Sequence, residues 1–195
     1  MKNMISSIAN RYTKQGLWSL FLMCVFPLHI WTLILAFRDM SWVIERTNVW
    51  DAIGVVSYGM IFAFVESLVV FVVVVLLGIV TPIEWESDKR IAFLCLLIII
   101  MAIWGMIGQL LFLWNVSLPP SVMQFVARSA HPLRVLYAIS LAIVVPTVLL
   151  PVYSFVRSKR AVLFMKNLME RLSILSLFYL FFDVIGLIVI IIRNI

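Results

Sequence analysis

Five apolar stretches, each long enough to cross a lipid bilayer as a helix, limit what this chain can become. They run from Leu17 to Phe37, Ala52 to Val80, Ile91 to Trp114, Leu133 to Val156 and Leu172 to Ile192. About 20 apolar residues, at about 1.5 Å each, cover a hydrocarbon core of ~30 Å. The runs are continuous and do not alternate with a period of two, so they predict helices and not barrel strands. The second run holds 29 residues and exceeds the core thickness. Tilt or protrusion at an end absorbs that excess.

Composition closes the other routes. Hydrophobic residues make up 65% of the 195 and charged residues 12%. A water-soluble domain is nearer half apolar and a quarter charged, and this chain would expose large apolar patches in water. Disorder needs the opposite balance. Subtracting the spans leaves no loop long enough for a separate catalytic domain. The expected fold class is an all-α polytopic membrane bundle. It has five transmembrane helices plus two cytoplasmic interfacial amphipathic helices, all in one integral domain over residues 1–195.

The first span is too long for a signal-peptide core and has no small-x-small site after it, so it reads as a retained signal anchor. Orientation follows from Lys and Arg. Ten of the 15 flank the N-terminal side: Lys2, Arg11, Lys14, Lys89, Arg90, Arg157, Lys159, Arg160, Lys166 and Arg171. The other side carries five, Arg38, Arg46, Arg128, Arg134 and Arg193. This puts the N-terminus in the cytoplasm and, with five spans, the C-terminus outside, in a plasma or bacterial inner membrane. The net charge of +6 then belongs to membrane anchoring and anionic lipid, not to nucleic acid.

The two interfacial helices are expected at 1–15 and 157–171. In the first, Met1, Met4, Ile5, Ile8, Ala9 and Tyr12 share an arc opposite Lys2, Arg11 and Lys14. In the second, Val162, Met165, Leu168, Met169 and Leu172 oppose Lys159, Lys166, Glu170 and Arg171. Residues 38–51 read as an outer loop with Trp42 and Trp50 at the interface. Residues 81–90 read as a solvated turn, with Glu84, Glu86 and Asp88 too open to make a cation site. Residues 115–132 carry a short helix around Val122, Phe125 and Val126.

Acids at membrane depth are the most informative residues, since an Asp at a helix centre costs ~2.5–3.5 kcal/mol to insert. Glu66 is central in the second span, Asp183 near the centre of the fifth, and His29 near the centre of the first, just after Pro27. The three fall near one depth. Gly59, Ala63 and Ser67 form a small-residue stripe on which another helix can pack, and Glu66 lies within about a quarter-turn of it. Glu66 is therefore expected to face protein. Gly105, Gly108 and Gln109 form a second small and polar patch on the third span. Pro146 frees a carbonyl in the fourth span that Thr147 is placed to satisfy.

Two functions compete. In one, these polar groups are interhelical glue in a helper or subunit, with a membrane protein as partner. In the other, Glu66, Asp183 and His29 form a proton or cation relay in a small transporter. No HExxH, GxSxG, P-loop or GxGxxG motif is present, which argues against an enzyme. His29 and His131 are the only histidines, Cys24 and Cys95 sit in apolar runs as packing residues, and no metal or cofactor is expected.

Overall fold

The computed structural model describes residues 11–114, 116–117 and 119–195. Their regular structure is helical throughout. In chain order the helices are α1 (Lys14–Arg46), α2 (Val49–Val80), α3 (Ser87–Leu113), α4 (Pro120–Ala127), α5 (Pro132–Arg157) and α6 (Lys159–Asn194). All but α4 are long and apolar enough to cross a membrane. The packing falls into two compact units. One comprises the described residues up to Ile99 with Val162–Ile195, the other those of Ile100–Ala161.

The first unit is built on α1, α2, the start of α3 and most of α6. Thr13 caps α1, its Oγ1 accepting from the Gly16 amide at 3.0 Å. The helix then runs 33 residues, well past the expected end at Phe37. The expected outer loop at 38–51 is thus mostly helix. Its apolar residues continue the run, and Arg38 pairs locally with Asp39 at 2.7 Å. The chain turns at Thr47, whose Oγ1 donates to the Val43 carbonyl at 2.8 Å. Asn48 then caps α2 by accepting from the Asp51 amide at 2.9 Å and donating to the Asp51 carboxylate at 2.8 Å.

A turn this short makes α1 and α2 antiparallel neighbours. Phe21 meets Phe71 edge-on at 5.7 Å, and Thr32 lies against Gly59. Helix α6 crosses back beside both. Ser176 reaches the Leu22 carbonyl at 2.7 Å, and Asp183 reaches His29. Leu22 to His29 and Ser176 to Asp183 are each a seven-residue step, so α1 and α6 run parallel in heptad register. Against α2 the order reverses: Gly186 packs on the Ser57 backbone, and Arg193 bonds Asp51 at 2.7 Å.

Lys159–Asn194 is one helix of 36 residues. Of the segment expected to lie flat at 157–171, residues 159–171 are therefore continuous with the fifth span, and no Gly or Pro separates them. The other expected interfacial helix falls largely on residues 1–10, outside those described. In the second unit, α4 is the short helix expected near Val122, with no buried residue. In α5 only Phe155 is buried, and Pro146 and Pro151 lie within the helix. Thr147 Oγ1 bonds the carbonyls of Ile143 and Val144 and accepts from Trp104 Nε1 at 3.1 Å. The carbonyl facing the missing Pro146 amide is that of Ala142, so Thr147 does not meet that need.

Candidate functional site

The site begins with one carbonyl. His29 is fully buried on α1, and its Nδ1 lies 2.9 Å from the carbonyl of Val25, one turn earlier. A carbonyl only accepts, so Nδ1 carries a hydrogen and donates. That leaves Nε2 to face α6, where the Asp183 oxygens lie at 3.0 and 3.1 Å. Asp183 is 6% exposed. Tyr179, one turn before Asp183, stacks on the imidazole at 5.8 Å with the rings 6° from parallel. Phe26 covers the phenol ring in turn, at 6.3 Å. One turn further along the seam, Ser176 Oγ meets the carbonyls of Leu22 and its own Leu172.

The buried side-chain polar atoms of His29, Asp183 and Ser176 all have partners. Chemically, Nε2 and the carboxyl form a hydrogen-bonded acid–base pair in apolar surroundings, with the imidazole tautomer set by Val25.

Glu66 does not join that pair. It is exposed, just outside the packed stripe of α2, and it bonds no described residue. Ala63 and Ser67 are buried, and Ser67 Oγ donates to the Ala63 carbonyl at 2.7 Å. A quarter-turn is thus enough to carry Glu66 out of the contact. Its depth also differs. Thr32 lies level with Gly59, and Ser57 level with Gly186, which places the His29–Asp183 pair near residues 60–62 of α2. Glu66 is four to six residues away, about 6–9 Å along the axis.

Gly105, Gly108 and Gln109 are exposed, and a Cβ at either glycine would meet nothing within 4 Å. Within the described chain this patch packs against no helix.

Sequence reasoning missed a second polar centre at the far end of α2. The helix stops at Thr81–Pro82 and leaves carbonyls without intrahelical partners. Arg90, only 2% exposed, fills that gap. Its Nε donates to Thr81 Oγ1 at 2.8 Å, Nη1 to the Arg11 carbonyl at 2.7 Å, and Nη2 to the Pro82 and Trp85 carbonyls at 3.1 Å. Arg11 donates to the carbonyls of Ile79 and Thr81, and Tyr12 to that of Val75 at 2.9 Å. Two guanidinium charges thus sit at the negative end of a helix dipole. Burial lifts the Tyr12 phenol above its ordinary range, and the nearby Arg90 and Arg11 pull it partway back. The segment 81–90 is therefore a buried capping centre at Thr81 and Arg90, while Glu84, Glu86 and Asp88 stay outside it. Asp88 pairs with Lys166 at the start of α6.

The chain matches no known protein family, no curated protein and no solved structure.

Proposed function

We propose that this chain is a non-enzymatic helper or subunit of a cell membrane, working through the faces of its helices. One observation carries the reading: Glu66 is exposed halfway along α2, among exposed Phe62, Val65 and Val69. Charged groups in spanning segments almost always find protein or water, since hydrocarbon makes them expensive. A partner helix with a basic or amide group at that depth would satisfy Glu66, and the apolar residues around it would supply the contact. The membrane is a plasma or bacterial inner membrane, with the N-terminus cytoplasmic and the C-terminus outside. Supporting this orientation, Arg11, Arg90 and Lys166 gather at one end of the bundle. Exposed Lys14 and Arg171 would face anionic lipid at that end.

The test is co-purification in mild detergent. Wild type and Glu66→Gln are expected to retain a stoichiometric membrane partner, since the amide still forms hydrogen bonds. Glu66→Leu is expected to lose it while staying folded. A wild-type protein that purifies alone, or a Glu66→Leu variant that keeps its partner, would overturn the reading.

A second reading, a small proton- or cation-coupled transporter, draws on the buried His29–Asp183 pair. It requires proton or cation flux in liposomes holding the purified chain alone, with that flux lost in Asp183→Asn.

A further inference from the structure

We propose that the open edge of the Arg11 guanidinium, formed by Nε and Nη2, is a binding site for the phosphate of an anionic phospholipid at the end of α2. The proposal rests on the membrane setting of the proposed function, but not on the helper role, which is tested at Glu66.

The guanidinium is fixed in place without being used up. Its Nη1 donates to the carbonyls of Ile79 and Thr81 at 2.7 and 3.2 Å. The Arg11 carbonyl accepts from Arg90 Nη1 at 2.7 Å, and the next residue, Tyr12, is tied to the Val75 carbonyl. Nε and Nη2 lie together on the other side of the guanidinium, and neither has a partner among the described residues. This is the edge by which Arg38 grips Asp39, with Nε at 2.7 Å and Nη2 at 3.0 Å. Two parallel N–H groups match two oxygens of one anion, which a lysine ammonium cannot do. Arg11 is partly buried, so its unmet edge has already lost part of its water.

Charge at this end is out of balance. Among the described residues, neither Arg11 nor Arg90 forms an ion pair. Glu84 and Glu86 are exposed and pair with nothing, and Asp88 is taken by Lys166. The α2 dipole offers about half a negative charge against two positive ones. A phosphodiester with one negative charge offsets most of what remains. The other cations here are already engaged or lack the shape. Every nitrogen of the Arg90 guanidinium has an acceptor, Lys89 lies 4.7 Å over the Trp85 ring, and Lys14 is exposed with a single ammonium.

A lipid fits this place better than a free anion. Val80, between the two carbonyls that Arg11 holds, is 84% exposed, and Ile83 is 78% exposed. Exposed Val73, Leu76 and Leu77 continue apolar surface back along α2. Acyl chains gain from that surface, whereas inorganic phosphate gains nothing. Half-buried Trp85 suits the same interfacial level.

The experiment titrates the full chain, stripped of lipid in an uncharged detergent, with phosphatidylglycerol, phosphatidylcholine or inorganic phosphate. Binding is read as the shift in unfolding midpoint from each protein's own lipid-free value, so a variant's lower stability does not enter. Phosphatidylglycerol should stabilise the wild type, and phosphatidylcholine and phosphate much less. Arg11→Lys keeps the charge but loses the edge, and should bind phosphatidylglycerol about tenfold more weakly. Lys14→Gln removes a whole charge nearby and should lose less than Arg11→Lys. An equal or larger loss in Lys14→Gln would overturn the site, because charge alone would then explain the binding. Equal stabilisation by phosphatidylcholine, or by inorganic phosphate, would overturn the anionic lipid as occupant. A chain that stays soluble without detergent would overturn the membrane setting and the site together. One that needs detergent and ignores lipid charge would overturn the site alone. Nitrogen NMR of the wild type, with 15N-arginine, does not depend on any variant folding. The Arg11 Nε–H signal should move with phosphatidylglycerol, while that of Arg90, bonded to Thr81, should stay. An unmoved Arg11 signal at saturating phosphatidylglycerol would refute the proposal.

Discussion

The Tyr12 hydroxyl occupies the space that a Cβ on Gly78 would need, and from there it donates to the Val75 carbonyl at 2.9 Å. The glycine admits the phenol ring, and the phenol closes one of the carbonyls at the end of α2. Gly78→Ala should therefore destabilise by about 1–3 kcal/mol through overpacking. Tyr12→Phe should lose about 0.5–1.5 kcal/mol, the usual net value of a hydrogen bond. The double variant should lose less than the sum, because removing the hydroxyl relieves part of the clash. Additive losses in a double-mutant cycle, read by denaturation in micelles, would contradict this packing.

The same phenol gives an alkaline prediction. Its folded value lies above its ordinary one, mainly through burial. Stability from the neutral phenol is present below the ordinary value of about 10 and is lost as pH rises through the higher folded value. Tyr12→Phe should lack that alkaline component, which a comparison of unfolding between pH 9 and 11 would detect.

Arg90 serves five carbonyl or hydroxyl acceptors from a buried position, so its planar fork matters as much as its charge. Arg90→Lys should lose about 2 kcal/mol or more, and Arg90→Met more again, because buried acceptors are left unmet. By contrast Asp51→Asn, at the partly exposed Arg193 pair, should cost less than about 1 kcal/mol. If the two sites proved equally sensitive in unfolding midpoints, the capping role assigned to Arg90 would fail.

Glycines that look alike in sequence should part company. A Cβ at Gly59 would lie 3.2 Å from Thr32 Cγ2, whereas Gly105 and Gly108 face open space. Gly59→Leu should destabilise by about 1–3 kcal/mol. Gly105→Leu and Gly108→Leu should leave the isolated protein within about 0.5 kcal/mol of wild type. A large loss at either of the latter, measured on the purified chain, would mean that they pack inward.

Apolar run length is enough to place the five long helices, because hydrocarbon thickness sets a minimum that no short run meets. It cannot place their ends. Nothing in a run from Leu17 to Phe37 forbids helix through Trp42 and Ile44, and the amphipathic pattern of 157–171 reads the same whether that segment lies flat or continues upward. His29 and Asp183 stand out as costly residues, yet their meeting depends on which helices adjoin, and periodicity within one helix carries no such information. Glu66 fails on angle: α2 buries a stripe of limited width against its neighbours, and a quarter-turn reaches its edge. Arg90 hides among the surface charges because the positive-inside bias sums charges without saying which turn inward. Pro82, two residues past the end of α2, is the available signal, since a helix stopped there leaves carbonyls needing donors. Ser176 is signalled by its seven-residue offset from Asp183.

His29 and Asp183 are 154 residues apart in sequence. During synthesis the histidine is therefore made long before its acid exists, and it must wait for every intervening helix. Closure of the bundle is tied to arrival of the last helix, so a chain truncated before Asp183 would present quality-control proteases with an unmet imidazole and a missing wall.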